Sequence, residues 1–170
     1  MNISLIGMMG SGKTTIGKLL AKELSYSFVD TDFLIVEKEN RSINDIFSNS
    51  GESYFRNAES NILKEALNNQ NQIISTGGGI IKTNENIKLL KEKSLVIYLK
   101  ANEETLFNRL KEDTTRPLLN VSDIKEKINV LLTERQAQYE QAHYTITTEN
   151  KEPIEITQEI IGIINEYSRS

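Results

Sequence analysis

The residues best suited to chemistry form the stretch GMMGSGKTT near the N-terminus. Gly7, Gly12, Lys13 and Thr14 have the Walker A spacing, and they follow an apolar segment that we predict to be a strand. Glycines let the backbone approach a polyphosphate closely, so that successive N–H groups and the start of the next helix point at the anion. Lys13 adds a positive charge for the β and γ oxygens, and the Thr14 hydroxyl suits Mg²⁺. The stretch therefore predicts a site for the phosphates of a magnesium-bound nucleotide.

Two carboxylates, Asp30 and Asp32, follow the apolar pair Phe28 and Val29 at the expected end of the second strand. Residues two apart on a strand share a face, and ligands of open α/β sheets bind beyond the carboxyl ends of the strands. One carboxylate could hold Mg²⁺ through water while the other accepts the proton of an attacking hydroxyl. The alternative for Asp32 is a cap on a helix that starts near Phe33. The nearby phosphate loop favours the functional interpretation.

Glu52, Arg56 and Glu59 are spaced so that all three lie along one face of a predicted helix. They could form a solvated ladder of ion pairs. Alternatively, the two carboxylates could hold the Arg56 guanidinium so that it binds the carboxylate of a substrate. Helical periodicity does not choose between these interpretations.

Three consecutive glycines, Gly77, Gly78 and Gly79, directly follow the third predicted strand. They expose bare backbone at the carboxyl edge of the sheet, where N–H groups can come close to a ligand. The alternative is a tight turn between a strand and a helix, which seldom needs three glycines. We therefore favour a role in ligand binding.

The polar segment 112–121 lies between two predicted helices and contains Arg116. Such a segment could be a mobile cover over a bound nucleotide or a plain surface loop. Arg116, and Arg135 in the following helix, would each be a surface charge if considered alone. His143 has no sequence neighbours suited to a triad or a metal site, so we assign it no role.

Short β-branched segments alternate with helical patterns along the chain, which predicts an α/β fold with a mainly parallel sheet covered on both faces. The predicted strands are residues 3–6, 28–30, 72–75, 95–99 and 144–147. The predicted helices are residues 15–24, 42–47, 52–67, 84–91, 103–110, 122–139 and 153–167.

The composition limits the class of protein. A chain of 170 residues, 38% of them hydrophobic, is long enough for one core and short for two, so we expect a single domain over residues 1–170. The net charge of −4 and the lack of a basic run argue against nucleic acid as a partner. With no cysteine and one histidine, any metal must be held by oxygen ligands, which fits Mg²⁺. No signal peptide or transmembrane segment is recognisable, so we expect a cytoplasmic protein that does not enter membranes.

With these residues in order, the chain closely resembles the shikimate kinases, a family in the nucleoside-monophosphate-kinase-like branch of P-loop kinases. Six segments carry the resemblance: GMMGSGKTTIGKLLA, FVDTD, GESYFRNAE, STGGG, RPLL and ERQAQYEQAHY. The first is the most specific singly, and the six in this order are highly specific.

The resemblance implies a three-layer α/β sandwich of the P-loop type, with a central five-stranded parallel sheet in the order 2-3-1-4-5. It implies substrate-binding helices over about residues 32–60 and a mobile lid over about residues 112–122. The implied reaction is transfer of the γ-phosphate of ATP to the 3-hydroxyl of shikimate, which gives shikimate 3-phosphate and ADP on the route to chorismate and the aromatic amino acids. The implied partners are ATP and shikimate, with Mg²⁺ as the cofactor, and we expect a monomer.

The resemblance also implies roles for individual residues. The catalytic residues would be Lys13, Asp32 as the base, and Arg116, which would move with the lid onto the transferred phosphate. The nucleotide would contact Gly10, Ser11, Gly12, Lys13, Thr14, Thr15, Arg109, Arg116 and Lys151. The substrate would contact Asp32, Arg56, Gly77, Gly78, Gly79 and Arg135. Thr14 would bind Mg²⁺ directly and Asp30 would bind it through water.

Lys151 is a departure from the family pattern, because many relatives place an arginine beside the adenine at this point. Lysine stacks less well than arginine on an aromatic base, so we expect only a weak nucleotide contact there.

Two other functions stay open from the sequence. A gluconate or nucleotide kinase would share the loop and the lid, but it would not need two arginines and three glycines around a small carboxylate. A non-catalytic nucleotide-binding module would usually lack at least one group of the set that this chain carries complete, namely Lys13, Thr14, Asp32 and Arg116.

Overall fold

A computed structural model describes residues 1–113, 117–119 and 121–169 of the chain. Within these residues, five strands form one sheet in the order β2-β3-β1-β4-β5, and each pairing is parallel. The strands are β1 (Asn2–Ile6), β2 (Ser27–Asp30), β3 (Gln72–Ser75), β4 (Ser94–Lys100) and β5 (Tyr144–Thr147). The predicted α/β fold and its strand order are confirmed.

Helices cover both faces of the sheet. They are α1 (Lys13–Leu24), α2 (Thr31–Glu39), α3 (Ile43–Ala66), α4 (Asn84–Lys93), α5 (Glu103–Leu110), α6 (Ile124–Tyr139) and α7 (Pro153–Tyr167). Helices α1 and α7 contribute to the core on one face, whereas α3, α4 and α6 contribute to the core on the other. Strand β4 shows why two cores form: Leu95, Ile97 and Leu99 lie in the first core, and Val96 and Tyr98 lie in the second.

Local sequence explains where several helices begin. Helix α3 begins after Ser42, whose side chain caps the Asp45 N–H while the Asp45 side chain accepts from the Ser42 N–H. Helix α7 begins at Pro153. Proline has no backbone N–H, but at the first position of a helix this group would have no hydrogen-bond partner within the helix. Short 3₁₀ turns at Ile80–Lys82 and Pro117–Leu119 complete the described elements.

Helix α3 runs through both of the segments that we predicted as separate helices, 42–47 and 52–67. The two parts meet at Gly51, whose φ of 84° and ψ of 168° are not helical. Ile46, before the kink, packs with Ile35 of α2 in a small cluster that also contains Phe55 and Ile62 from the part after the kink. The second part reaches the sheet, so the kink connects the substrate-facing helices to the main core.

The predicted placement of Asp32 on a strand was wrong. Strand β2 ends at Asp30, and Asp32 lies in the first turn of α2, a helix that we considered from the sequence only as the alternative for Asp32 and as part of the implied substrate-binding helices. The chain turns at this point because the Asp30 side chain accepts hydrogen bonds from the N–H groups of Asp32 and Phe33 and so caps the new helix. The capping role considered for Asp32 therefore belongs to Asp30.

None of the described helices is both long and apolar enough to cross a membrane.

Candidate active site

The phosphate loop joins β1 to α1 and keeps its backbone open toward a cavity. Gly12 immediately precedes α1 with a φ of 98°, a left-handed conformation that glycine adopts without strain. With no side chain at Gly12 to cap the helix, the first N–H groups of α1 are available to an anion. The loop therefore has the geometry of a phosphate site before any ligand is bound.

Lys13 is held against the loop by its own backbone. Its ammonium group donates to the carbonyl oxygens of Gly7 at 2.8 Å and Met8 at 2.9 Å, and the residue is 8% exposed. A lysine side chain in such a position presents its charge to the phosphate loop without moving far.

Thr14 and Asp30 form a pair of oxygen ligands at the start of α1. The Thr14 hydroxyl donates to Asp30 Oδ2 at 2.8 Å, while Asp30 Oδ1 caps α2. A hydroxyl beside a carboxylate suits Mg²⁺, which prefers oxygen ligands and keeps several of its waters. The described residues include no cluster of three or more His, Cys, Asp or Glu side chains able to hold a metal ion.

A cavity of about 420 Å³ brings together the predicted nucleotide contacts that the structure describes. Its lining includes Gly10, Ser11, Gly12, Lys13, Thr14, Thr15, Arg109 and Lys151. Arg109 donates to the Gly10 carbonyl at 2.9 Å, which ties α5 to the phosphate loop. Lys151, also in the lining, forms an ion pair with Glu159 at 2.6 Å. Arg116, the remaining predicted contact, lies outside the described residues, as does part of the predicted lid.

A second, smaller cavity brings together the predicted substrate contacts. Its lining includes Asp32, Arg56, Gly77, Gly78, Gly79 and Arg135. Three residues, Met9, Asp32 and Gly78, line both cavities. Of these three residues, Asp32 is the one with an ionisable side chain, so its carboxylate borders both the phosphate loop and the pair of arginines.

Arg56 is held by two carboxylates on its own helix. Its Nη1 donates to Glu59 Oε2 in a short hydrogen bond, and its Nη2 and Nε donate to Glu52 Oε1 at 3.1 and 3.3 Å. The side chains of Arg56 and Glu59 are only 14% and 1% exposed, so this is not a solvated ladder. Lys82, from the 3₁₀ turn after the glycines, also binds Glu52 at 2.7 Å.

Glu59 has an unusual electrostatic environment. Burial raises its pKa to about 7 even though the Arg56 guanidinium opposes the shift, and the nearby Asp32 carboxylate raises it further. Gly77 allows the two carboxylates to approach, because a Cβ atom there would lie 2.5 Å from Glu59 Oε1 and 2.6 Å from Asp32 Oδ1. The site thus concentrates negative charge around Asp32 and balances it with arginine.

Arg135 is buried rather than a surface charge. It is 2% exposed, and its Nη1 donates to the Gly78 carbonyl at 3.1 Å. Its Nε has no hydrogen-bond acceptor among the residues that the structure describes. A buried guanidinium with an unused donor on the wall of a cavity is suited to a carboxylate ligand.

Sequence reasoning missed Lys82 and Tyr139. The Tyr139 hydroxyl donates a short hydrogen bond to the Gly78 carbonyl, the same oxygen that Arg135 contacts. The spacing of four residues between Arg135 and Tyr139 places them on one face of α6, which is the only sequence signal for this pairing. His143 lines neither cavity, and its Nδ1 accepts a hydrogen bond from the Val96 N–H at 2.9 Å.

Comparison with known proteins gives one consistent family. A family model described as shikimate kinase matches residues 9–165. The shikimate kinase of Thermodesulfovibrio yellowstonii is 44% identical over 168 residues, which cover 99% of this chain and 95% of that protein. The shikimate kinase of Bacillus cereus strain AH187 is 46% identical over 165 residues, or 97% of this chain and 99% of that protein.

Solved structures agree with the sequence relatives. A shikimate kinase from Acinetobacter baumannii in complex with shikimate has a TM-score of 0.95 and 38% identity, with 98% of this chain and 93% of that chain covered. The shikimate kinase from Aquifex aeolicus has a TM-score of 0.87 and 35% identity, with coverage of 99% and 98%.

Proposed function

The chain belongs to the shikimate kinase family of ATP-dependent phosphotransferases, and we propose that its two adjoining cavities transfer the γ-phosphate of ATP to the 3-hydroxyl of shikimate. The products are shikimate 3-phosphate and ADP. The observation that carries this proposal is the position of Asp32, which lines both the cavity of the phosphate loop and the cavity of the two arginines.

The phosphate loop holds the nucleotide. Backbone N–H groups from Gly10 to Thr15 bind the phosphate oxygens, and Lys13 exchanges its carbonyl acceptors for the β and γ oxygens. Thr14 would hold Mg²⁺ directly and Asp30 would hold it through water. When bound, the ion supplies positive charge that neutralises the phosphate oxygens during transfer.

The smaller cavity, which we call the arginine cavity because Arg56 and Arg135 line it, holds shikimate. Arg56 and Arg135 bind the carboxylate of shikimate, with Glu52 and Glu59 keeping the Arg56 guanidinium in place. Gly77, Gly78 and Gly79 contribute backbone at the edge of the sheet, and bare backbone allows the ring of the substrate to come close.

Asp32 accepts the proton of the 3-hydroxyl as the oxygen attacks the γ-phosphorus. The P–O bond to ADP breaks as the new bond forms, and Lys13 and Arg116 balance the negative charge on the transferred group. Closure of the segment 112–122 with Arg116 excludes water, the competing acceptor that would turn the kinase into an ATPase.

The proposal includes the organisation of the chain. Residues 1–170 act as one domain, the helices over about residues 32–60 hold the substrate, and the enzyme works as a monomer in the cytoplasm, where ATP and Mg²⁺ are available. Sedimentation at assay concentrations tests the monomer. Lys151 is a weak contact to the nucleotide, since it lines the larger cavity with its charge already paired to Glu159.

The decisive experiment is an ADP-release assay with ATP, Mg²⁺ and a panel of acceptors that includes shikimate, quinate, gluconate and nucleoside monophosphates. We expect turnover with shikimate, and ³¹P NMR of the product should show the phosphoester on the 3-oxygen. ADP release only with gluconate or a nucleotide would indicate a different kinase, and no release with any acceptor would indicate a binding module.

A further inference from the structure

Tyr139 makes a contact to the active site from inside the core. It is the last residue of α6, it is 0% exposed, and its hydroxyl donates to the Gly78 carbonyl. Arg135, one turn earlier on the same helix, donates to that same oxygen at 3.1 Å. Two side chains of one helix therefore hold one backbone carbonyl on the wall of both cavities.

This contact determines the orientation of a peptide group in the glycine segment. In a trans peptide, the C=O of one residue and the N–H of the next point in opposite directions. The Gly78 carbonyl is held toward α6, so the Gly79 N–H points away from α6. Neither glycine has a side chain whose packing would fix this peptide plane. Its orientation therefore depends on contacts with other elements, such as the hydrogen bonds from α6.

The hydroxyl is a permanent donor. Burial raises the pKa of Tyr139 to about 12, so the phenol stays protonated at the pH values where a kinase works. A buried hydroxyl without an acceptor is costly, and the hydroxyl and the Gly78 carbonyl each satisfy the other.

Packing does not by itself explain a tyrosine at this position. The ring stacks on Tyr98, with 4.9 Å between the ring centroids and 13° between the planes, and phenylalanine would fill the same space. The Tyr139 hydroxyl adds a hydrogen bond to the Gly78 carbonyl, and it thereby shares this acceptor with Arg135.

We propose that Tyr139 is a positioning residue for shikimate, which fixes the Gly78–Gly79 peptide and the Arg135 guanidinium in the arrangement that binds the acid. The inference rests on the proposed function, since it assigns the acid to the cavity that Gly78, Gly79 and Arg135 line. Tyr139 does not line that cavity and acts through the groups that do.

Tyr139→Phe tests the inference, and Tyr98→Phe is the matched control. Both changes remove one hydroxyl from the same stacked pair, but only Tyr139 bonds to Gly78. We expect Tyr139→Phe to raise KM for shikimate by about 5- to 10-fold, the value of one hydrogen bond, and to change KM for ATP by less than about 2-fold. The control should leave both constants within about 2-fold of the wild type.

A rescue experiment separates the donor from the shape of the side chain. Incorporation of 4-aminophenylalanine at position 139 restores a donor and should return KM for shikimate to near the wild-type value. Incorporation of 4-fluorophenylalanine fills the hydroxyl position without a donor and should keep KM high. This second pair also serves if Tyr139→Phe is too unstable to assay.

Three results would overturn the inference: an unchanged KM for shikimate in Tyr139→Phe, an equal rise in KM for shikimate and ATP, or the same effect in the Tyr98→Phe control. These results leave the proposed function intact, because the wild type would still phosphorylate shikimate. A wild type without activity on shikimate would overturn both.

Discussion

Asp32 and Glu59 are two carboxylates beside Gly77 with different surroundings. Glu59 is buried, pairs with Arg56 and lines only the smaller cavity, whereas Asp32 is partly exposed and lines both cavities. A proton acceptor must reach both the hydroxyl and the phosphoryl group, and of these two carboxylates Asp32 is the one that lines both cavities, which is why we propose it as the base. The buried neighbour is suited to holding Arg56.

The first prediction concerns Asp32. Asp32→Asn removes the proton acceptor while keeping the size of the side chain, so we expect kcat to fall by about 10²- to 10⁴-fold with a smaller change in KM for shikimate. Asp45→Asn is the control, because Asp45 occupies the first turn of the neighbouring helix and lines neither cavity. Steady-state ADP release measures both, and near-normal turnover in Asp32→Asn would rule out this base.

The second prediction concerns Arg56. Arg56→Ala removes one guanidinium from the arginine cavity and leaves Glu59 buried without its partner, so KM for shikimate should rise by about 10²-fold or more while KM for ATP changes little. Arg41→Ala is the matched control, since Arg41 is also paired with a carboxylate, Glu39 at 2.7 Å, but lines neither cavity. An equal loss of affinity for both ligands would contradict a substrate-specific role.

The third prediction concerns pH and stability. The pKa of Glu59 is raised from 4.5 to about 7 on folding, mainly by burial, so the folded state holds this proton more tightly than the unfolded chain. The carboxyl therefore favours folding below pH 4.5, and this contribution is lost as the pH rises to about 7.

Urea unfolding of the wild type and of Glu59→Gln across this pH window measures the effect. The free energy of unfolding of the wild type should fall relative to Glu59→Gln by ~1–3 kcal/mol between pH 5 and pH 8. Glu65→Gln, on the same helix but exposed and paired with Lys38, should show no such difference. Parallel curves for the wild type and Glu59→Gln would show that the pKa of Glu59 is not raised.

At the scale of elements, the kink in α3 decides how the substrate helices meet the sheet. Gly51 lies inside a helix of 24 residues, and Arg56 follows one turn later. The part before the kink packs on α2, and Leu63 and Ala66 at the far end lie in the core on the sheet. Phe55 and Ile62, which follow the kink, also belong to the cluster on α2, so the part of α3 after Gly51 contacts both packing surfaces.

The fourth prediction compares two glycines. At Gly51 a Cβ would meet nothing within 4 Å, so the cost of Gly51→Ala comes from the φ of 84° alone and should be ~1–3 kcal/mol of unfolding free energy. Gly162 lies inside α7 with equally open surroundings, and Gly162→Ala should stabilise the protein by ~0.5–1 kcal/mol. Denaturant unfolding tests both changes, and a neutral Gly51→Ala would mean that the kink is not maintained in solution.

At the scale of the whole molecule, the strand order places the two cavities side by side. β1 lies between β3 and β4, so the phosphate loop after β1 is next to the glycines after β3. Helices α1, α3 and α6 then bring Lys13, Arg56 and Arg135 to the same edge of the sheet. Residues more than a hundred positions apart in the chain thereby form one site.

The fifth prediction follows from the two cavities. A ligand that binds only the folded state, and is present at a free concentration about 100 times its Kd, stabilises that state by ~2.7 kcal/mol. This corresponds to a rise in Tm of ~5–10 °C for a chain of this size. We expect such a rise with magnesium ADP and a separate one with shikimate. Lys13→Ala should lose the nucleotide effect and keep the shikimate effect, and chelation of Mg²⁺ by EDTA should reduce only the nucleotide effect. No shift with either ligand would contradict both sites.

The sequence was informative where local patterns decide structure. The glycine spacing before Lys13 needs no distant partner to form a phosphate loop, and strands β3 and β5 match their predicted bounds. Helix α2 was considered only as the alternative for Asp32, because it starts directly after β2, where the Asp30 side chain accepts from the N–H groups of Asp32 and Phe33 and caps the helix. Periodicity does not show these two side-chain hydrogen bonds.

The sequence by itself determined the phosphate loop, the alternation of strands and helices, and the kinds of side chain available for a kinase reaction. The tertiary structure alone decided that Arg135 is buried and Arg56 only partly exposed, that Asp32 lines two cavities, and that Tyr139 holds the Gly78 carbonyl. The physical reason is that burial, pKa shifts and shared hydrogen-bond acceptors arise from residues that are distant in sequence and meet only when the sheet and its helices pack together.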